Sequence, residues 1–452
     1  MKQTEHILII GAGLVGSLLA VYLRKRGYQV TLYERRADMR KEEMSAGRSI
    51  NLALSDRGIR ALTEVGLMDQ IQPIAIPMHG RQKHPIQGEQ VYQAYGKSGQ
   101  FINAVSRGLL NQTLLDAAEQ AGAVIYFQHK CLHVDFDQHQ VSFETSTGDT
   151  IQVQADRIIA SDGAFSAGRL SHQLQHHRFQ YQQYYIDYGY KELHIPPTAT
   201  GEYALEKHAL HIWPRGNYMM IALPNTDGSF TCTLFFPFEG EPSFASLKTR
   251  EEVTSFFDAQ FPDAVPFMPT LVDDFFSNPT SSLVTVKCTP WTRGDRFALI
   301  GDAAHAIVPF FGQGMNCGFE DCAVLNQLLE LHADDWSKAL PAYDQLRKPD
   351  GDAIAELALT NFVEMRDRVA DPSFLLQKKI EAWFAEKHPT QWIPAYAQVT
   401  FSPQIRYSEA LHNGQRQERI MAQIMQMPNI NTNWQSELVE QRILELLQTT
   451  PA

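Results

Sequence analysis

Cysteine is scarce and unpatterned in this 452-residue chain. Its five residues, Cys131, Cys232, Cys288, Cys317 and Cys322, are odd in number and form no Cys-x-x-Cys pair. That argues against a disulfide framework and a zinc site of the usual spacing, so no metal is expected and reduced thiols in a cytoplasmic protein are. Long apolar runs are also missing: no stretch approaches the ~20 residues that cross a bilayer. The chain enters a strand within a few residues of Met1, which leaves no room for a secretory leader. A cytoplasmic protein without a membrane anchor is the expectation. Positive charge is in short supply, with 39 Lys and Arg against 51 Asp and Glu and a net charge of −12. With no basic cluster, this excludes an extended nucleic-acid surface. It leaves room for a small anion, which one local Arg can bind. No internal repeat and no low-complexity segment is present.

What is there is a large, ordinarily apolar chain: 44% hydrophobic residues over this length suggest two or three domains. His6–Ile10 reads as a strand, Ser17–Arg26 has helical spacing, and Gln29–Tyr33 is a second strand ending at Glu34. That order is a right-handed βαβ unit, the start of a parallel sheet. A helix over Leu109–Gln120 and a strand at Val124–Phe127 follow. The runs His133–Phe136, Val141–Thr145 and Ile151–Gln154 alternate like antiparallel strands. Arg157–Ala160 delivers Ser161-Asp-Gly163, and Phe297–Ile300 returns to the parallel pattern. Between about 180 and 275 the runs are short, aromatic and separated by Pro, Gly and Asn turns, the texture of a mainly antiparallel sheet. From Tyr343 the pattern is mostly helical, with a Pro-marked irregular stretch near Thr390–Pro403 and an amphipathic docking helix at Glu437–Leu447. The fold class expected is α/β (α+β overall). A Rossmann-like domain at 1–76, 100–178 and 276–342 would be interrupted by a sheet domain at 77–99 and 179–275. A helical region at 343–452 would close the site.

Two loops carry the chemistry. Gly11-x-Gly13-x-x-Gly16 follows a strand and opens a helix. Gly11 permits the tight turn, Gly13 lets the backbone approach a pyrophosphate, and Gly16 allows close helix–strand packing. Glu34 is placed to accept ribose hydroxyls. Almost three hundred residues later, Leu299-Ile-Gly-Asp-Ala-Ala-His305 runs on through Pro309 to Gly312-Gln-Gly-Met-Asn316, a glycine-rich turn opening another helix. N–H groups at a helix start stabilise negative charge. Asp302 by residue type alone is as readily a turn cap as a ligand contact.

The glycine triplet, Ser161-Asp-Gly163 and Gly301-Asp302 together resemble the single-dinucleotide flavoprotein hydroxylases, single-component enzymes that hold FAD. Gly47-Arg-Ser-Ile-Asn-Leu-Ala-Leu54, Tyr190-Lys-Glu-Leu193, His211-Ile-Trp-Pro214, Pro309-Phe-Phe-Gly-Gln-Gly-Met-Asn-Cys317 and Phe362-Val-Glu-Met365 narrow this to a resemblance to the kynurenine 3-monooxygenase family over nearly the whole chain. The resemblance implies tightly but non-covalently bound FAD, NADPH as a transient co-substrate, and O₂ activated as a flavin hydroperoxide that hydroxylates L-kynurenine to 3-hydroxykynurenine. No acid or base need be assigned, because the aniline nitrogen activates the ortho carbon and the protein supplies positioning and exclusion of water.

On this resemblance the cofactor contacts are Gly11, Gly13, Gly16, Glu34, Arg35, Arg48, Ala53, Arg107, Asp162, Asp302, Gly312, Gly314, Met315 and Asn316. Arg81 matches the carboxylate-binding Arg of the family, Tyr95 its partner, and Asn361 and Tyr396 further substrate contacts. Read alone, Arg81 and Arg107 would be surface charges and Tyr95 a strand Tyr. Asn361, Glu364 and Met365 share one helix face. Glu364 would oppose the substrate ammonium, with a solvated helix carboxylate as the rival reading. Leu223, Phe235 and Phe310 would wall the ring pocket. Phe311 stands where relatives often carry His, and His305 reads as structural. A monomer or homodimer is expected. Two other functions remain open: a related flavin monooxygenase with a different aromatic substrate, and a non-catalytic flavin-fold binding protein.

Overall fold

The computed structural model describes residues 5–41, 51–96, 99–364 and 371–451. A six-stranded sheet lies at the centre of the first half. Its order is Thr292–Arg293, Phe297–Leu299, Arg157–Ala160, His6–Ile10, Gln29–Glu34 and Val124–Phe127. All pairings are parallel except the first, an antiparallel edge. The strand His6–Ile10 is almost wholly buried, which is why it reads as a continuous apolar run rather than an alternating one. Helices Leu14–Lys25, Arg107–Gln120 and Gly314–Leu331 pack into the same core as this sheet, through Leu18, Leu114 and Leu325. A three-stranded antiparallel sheet, Lys130–Asp135, Gln140–Glu144 and Thr150–Gln154, joins it; its Phe143 ring stacks on Tyr33 at 4.2 Å.

The second sheet has seven strands in the order Ser281–Thr289, Gln180–Ile195, Phe230–Pro237, Met219–Pro224, Ala209–Pro214, Gly80–Lys83 and Val91–Ala94. It runs on to residue 289, past the boundary near 275 that the texture of the sequence suggests. Every pairing is antiparallel except that of Ala209–Pro214 with Gly80–Lys83. Strand alternation splits its side chains between two cores. Phe230, Cys232, Leu234 and Phe236 pack with Phe257 and Phe275 of helices Arg250–Gln260 and Leu271–Ser277. Phe235, Met219 and Leu283 face the other way, against Phe310, Phe311 and Ile354. A short antiparallel sheet, Asn51–Leu54, Ile102–Ser106 and Ala75–Met78, bridges the two halves.

Helix Trp336–Val363 crosses the molecule, and Pro372–Lys387, Tyr407–Ile424 and Glu437–Thr449 bury a shared apolar core. The stretch expected to be irregular contains one more helix, Ala395–Phe401. The prolines that signal a break stand outside it: Pro394 caps its start and Pro403 follows its end.

Candidate active site

The first glycine loop has the geometry its spacing implies. Gly11 sits at φ +96°, where a Cβ would lie 2.8 Å from the Ser161 carbonyl oxygen, and a Cβ on Gly16 would lie 2.1 Å from that of Gly11. Gly13 faces open space, the side from which a pyrophosphate can approach the backbone. Glu34 is buried behind this loop and accepts hydrogen bonds from the Ala12 N–H (3.0 Å) and from the Arg36 N–H and Nε (3.0 and 2.8 Å). Burial disfavours its charge, but these donors and the Arg36 cation outweigh that and hold its pKa below the usual range. Arg36 is the partner that sequence reasoning passed over; Arg35 beside it is exposed.

The second loop closes on the first. Asp302 opens a short helix after Gly301 at φ +61°. Solvent reaches Asp302, yet protein rings it, as it does a group on the floor of a cleft. That setting raises its carboxyl pKa, with the charges of His305 and Arg107 pulling the other way. Arg107 is exposed and starts the helix Arg107–Gln120, two residues before the Leu109 start that its apolar spacing suggests. Gly312 is left-handed at φ +65°, and a Cβ there would lie 3.1 Å from Ala53. Gly312, Gly314 and Met315 keep partial exposure.

Two expected cofactor contacts have their side chains committed elsewhere. Asn316 is fully buried; it donates to the Ala53 and Gly312 carbonyls (2.8 and 2.9 Å) and accepts from the Ser55 N–H (2.9 Å). It is the tie between the two segments. Asp162 accepts from Ser166 Oγ and the Ala167 and Gly168 N–H groups, so its carboxylate caps a helix. Arg48 and Met365 lie outside the described residues.

His305 is sealed below the loop. Its Nε2 lies 2.6 Å from the buried Asp321 carboxylate, which also accepts from Arg347 Nε at 2.7 Å. Burial disfavours the imidazolium, but the Asp321 charge overrides it and raises the His305 pKa. Arg347 continues to Glu320 (2.7 Å) and Asp350 (3.1 Å), and Arg57 also pairs with Glu320 at 2.7 Å. The ligating atoms of His305, Cys317 and Asp321 converge within 4.8 Å, but Arg347 also reaches Cys317 Sγ at 3.3 Å, so a cation there would face a guanidinium.

The substrate candidates come from three distant segments. Arg81 and Tyr95 belong to the two outermost strands of the seven-stranded sheet and the turn beyond them, and Tyr396 to helix Ala395–Phe401. The Arg81 guanidinium lies 4.4 Å from the Tyr396 ring centroid and 5.4 Å from that of Tyr95, and the two rings stack at 5.9 Å. Arg81 Nε and the Tyr95 hydroxyl are buried without a hydrogen-bond partner, an arrangement that costs stability unless a ligand supplies the acceptor. Burial pushes the Tyr95 phenol up, so it stays a donor. Burial and then the Arg81 charge lower the pKa of neighbouring Lys83. The pocket is cationic.

Phe311 stacks on Tyr396 at 5.3 Å, joining this receptor to the glycine loop. Phe310 packs on Phe362 (4.1 Å) and Phe235 (5.0 Å), and its carbonyl accepts from Asn361 Nδ2 at 2.7 Å. Leu223 joins Tyr95, Tyr396 and Phe401 in an adjoining cluster. Glu364 is near enough to Lys378 to raise its pKa, after burial, which lowers it, and the charge of Glu381. Phe362 and Phe401 were not singled out from the sequence, since an aromatic at helical spacing carries no signal that distinguishes a pocket wall from core.

The profile of one protein family, described as FAD binding domain, matches residues 4–358. Curated relatives cover the chain almost end to end. The kynurenine 3-monooxygenase of Flavobacterium psychrophilum is 52% identical over 99% of this chain and 100% of its own. That of Myxococcus xanthus is 47% identical over 99% and 97%. The chain belongs to the kynurenine 3-monooxygenase family. It is an FAD-dependent monooxygenase, with FAD as its cofactor, and the open face of Gly13, the acid Glu34 and the cleft-floor Asp302 fit that group. Solved structures share the family's fold: 2-methyl-3-hydroxypyridine-5-carboxylic acid oxygenase superposes with a TM-score of 0.67 at 21% identity, covering 82% of this chain and 95% of that one. PqsL of P. aeruginosa gives 0.66 at 19% identity, covering 81% and 98%. Among the described residues, no helix is long and apolar enough to cross a membrane.

Proposed function

We propose that this chain hydroxylates the ring of L-kynurenine at the 3-position, using NADPH and O₂. The observation that carries this is the pair of buried, unpartnered donors, Arg81 Nε and the Tyr95 hydroxyl, at the mouth of an aromatic pocket beside the glycine loop. A carboxylate is the acceptor that such a pair fits, and a planar guanidinium is suited to binding it through two hydrogen bonds.

Bound FAD would supply reduction by NADPH and activation of O₂; Gly11–Gly16, Glu34, Arg107 and Asp302 are the residues that would hold it. Arg81 and Tyr95 bind the substrate carboxylate, and Tyr396 holds the Arg81 guanidinium against its ring. Phe235, Phe310 and Leu223 orient the aniline ring and exclude water, while Asn361 fixes the Phe310 carbonyl and the pocket wall with it. No side chain need remove a proton before attack, since the substrate's own amine donates electron density to the carbon that is hydroxylated. Residues 343–452 close the pocket by supplying Asn361 and Tyr396. The domain division at 1–76, 100–178 and 276–342 against 77–99 and 179–275 belongs to the same reading.

NADPH oxidation with and without L-kynurenine, with product identification, tests it. Strong stimulation with 3-hydroxykynurenine formed is expected. Stimulation that yields only H₂O₂ would mean that the ligand is an effector, and stimulation by a carboxylate-free phenol instead would overturn the substrate assignment.

A further inference from the structure

Behind Arg81 lies a buried chain of polar side chains. His84 directly follows the strand Gly80–Lys83 and is 2% exposed. Its Nδ1 lies 2.7 Å from the Asp263 carboxylate and its Nε2 2.9 Å from His211 Nδ1. His211 Nε2 lies 2.8 Å from the Glu206 carbonyl. Asp263 also accepts from the Trp213 indole N–H at 3.0 Å, and the His84 ring stacks on Trp213 at 4.2 Å. A carbonyl only accepts, so His211 donates to Glu206 from Nε2. A carboxylate likewise accepts, so His84 donates to Asp263 from Nδ1, and the two rings meet through His84 Nε2 and His211 Nδ1.

This chain stands on the far face of the sheet from Arg81. Leu210 is the register partner of Arg81 and packs in the cluster of Tyr95 and Tyr396, whereas Trp213 packs in the core under the helices. The strand that carries Arg81 needs such a support. Outside it runs only the exposed edge strand Val91–Ala94, and edge strands are where sheets loosen first. A main-chain bond from His84 N–H to the Ile212 carbonyl (2.9 Å) and a side-chain bond from Arg215 Nη1 to the His84 carbonyl (2.8 Å) fix the same end of the strand.

We infer that His84, with Asp263 and His211, positions Arg81 for the substrate carboxylate by pinning its strand from behind. The inference rests on the reading of the pocket as a carboxylate receptor. His84→Phe keeps an aromatic ring against Trp213 and removes both ring-nitrogen hydrogen bonds. Asp263→Asn, at a partly exposed site, is the milder second variant. L-kynurenine is compared with kynurenamine, the same molecule without its carboxylate, by KM, kcat and binding to the oxidised holoenzyme. The expected result is a roughly tenfold rise in KM and Kd for L-kynurenine, no change for kynurenamine, and kcat within about twofold. In an Arg81→Ala background the same substitutions should add nothing to the loss for L-kynurenine.

An equal loss for both ligands, or a loss that tracks FAD content and melting temperature, would overturn the inference in favour of a plain structural brace. No change for either ligand in both variants would overturn it too. If the unsubstituted enzyme turns over neither compound, the carboxylate-receptor reading fails, and this inference falls with it.

Discussion

The glycine loops and the Arg81 pocket are built in opposite ways. The loops are mostly backbone: Gly11, Gly13, Gly16, Gly301 and Gly312 set their shape by what they lack. The pocket is mostly side chain: Arg81, Tyr95, Tyr396, Phe310 and Phe311 meet from three segments spread over more than three hundred residues. A backbone site tolerates little change at its glycines and much around them. A side-chain site can lose one member and keep its fold.

Substitutions can break that comparison, beginning with the ion network under the cleft. Asp321→Ala leaves His305 without its buried carboxylate and takes one of three carboxylates from Arg347, a loss of about 3 kcal/mol that thermal melting of the holoenzyme should report. Gly11→Ala puts a Cβ against the Ser161 carbonyl at positive φ; roughly 3 kcal/mol and most of the bound FAD should be lost, read from melting and from flavin absorbance per protein. Arg81→Ala should leave flavin content and spectrum intact while weakening L-kynurenine by about a hundredfold in Kd, by ligand titration. Loss of FAD in that variant would erase the distinction between the two sites. Tyr95→Phe removes one orphaned donor and should cost about tenfold in Kd with the same spectrum.

The smallest effect is a pH effect. Glu34 has a depressed folded-state pKa, so its contribution is full above the unfolded value and is lost as pH falls through the folded one. Melting below about pH 4.5 should therefore fall less steeply in Glu34→Gln than in the unsubstituted protein.

Legibility divided along the same line. Gly11-x-Gly13-x-x-Gly16, Glu34 and the loop from Gly301 to Asn316 could be read because their chemistry is local: a strand, a turn, a helix start and an acid at fixed spacing. Within them, what a side chain does toward a partner elsewhere could not be read: Asn316 ties Ala53 to Gly312, Asp162 caps a helix, and Arg36 pairs with Glu34. Arg81, Tyr95 and Tyr396 carry no local signature, and only the family resemblance picked them out. Gln313 is clamped by the Tyr407 hydroxyl at 2.9 Å, a link between the glycine loop and the C-terminal helices that no spacing announces.

By itself, then, the sequence determined the parallel sheet and the dinucleotide loops, because these depend on periodicity and on where glycine permits a close approach. The tertiary structure decided which charges pair, which polar groups remain unpaired, and what stands behind Arg81. Those outcomes depend on desolvation, and whether a side chain is desolvated is settled by whatever the rest of the chain packs against it.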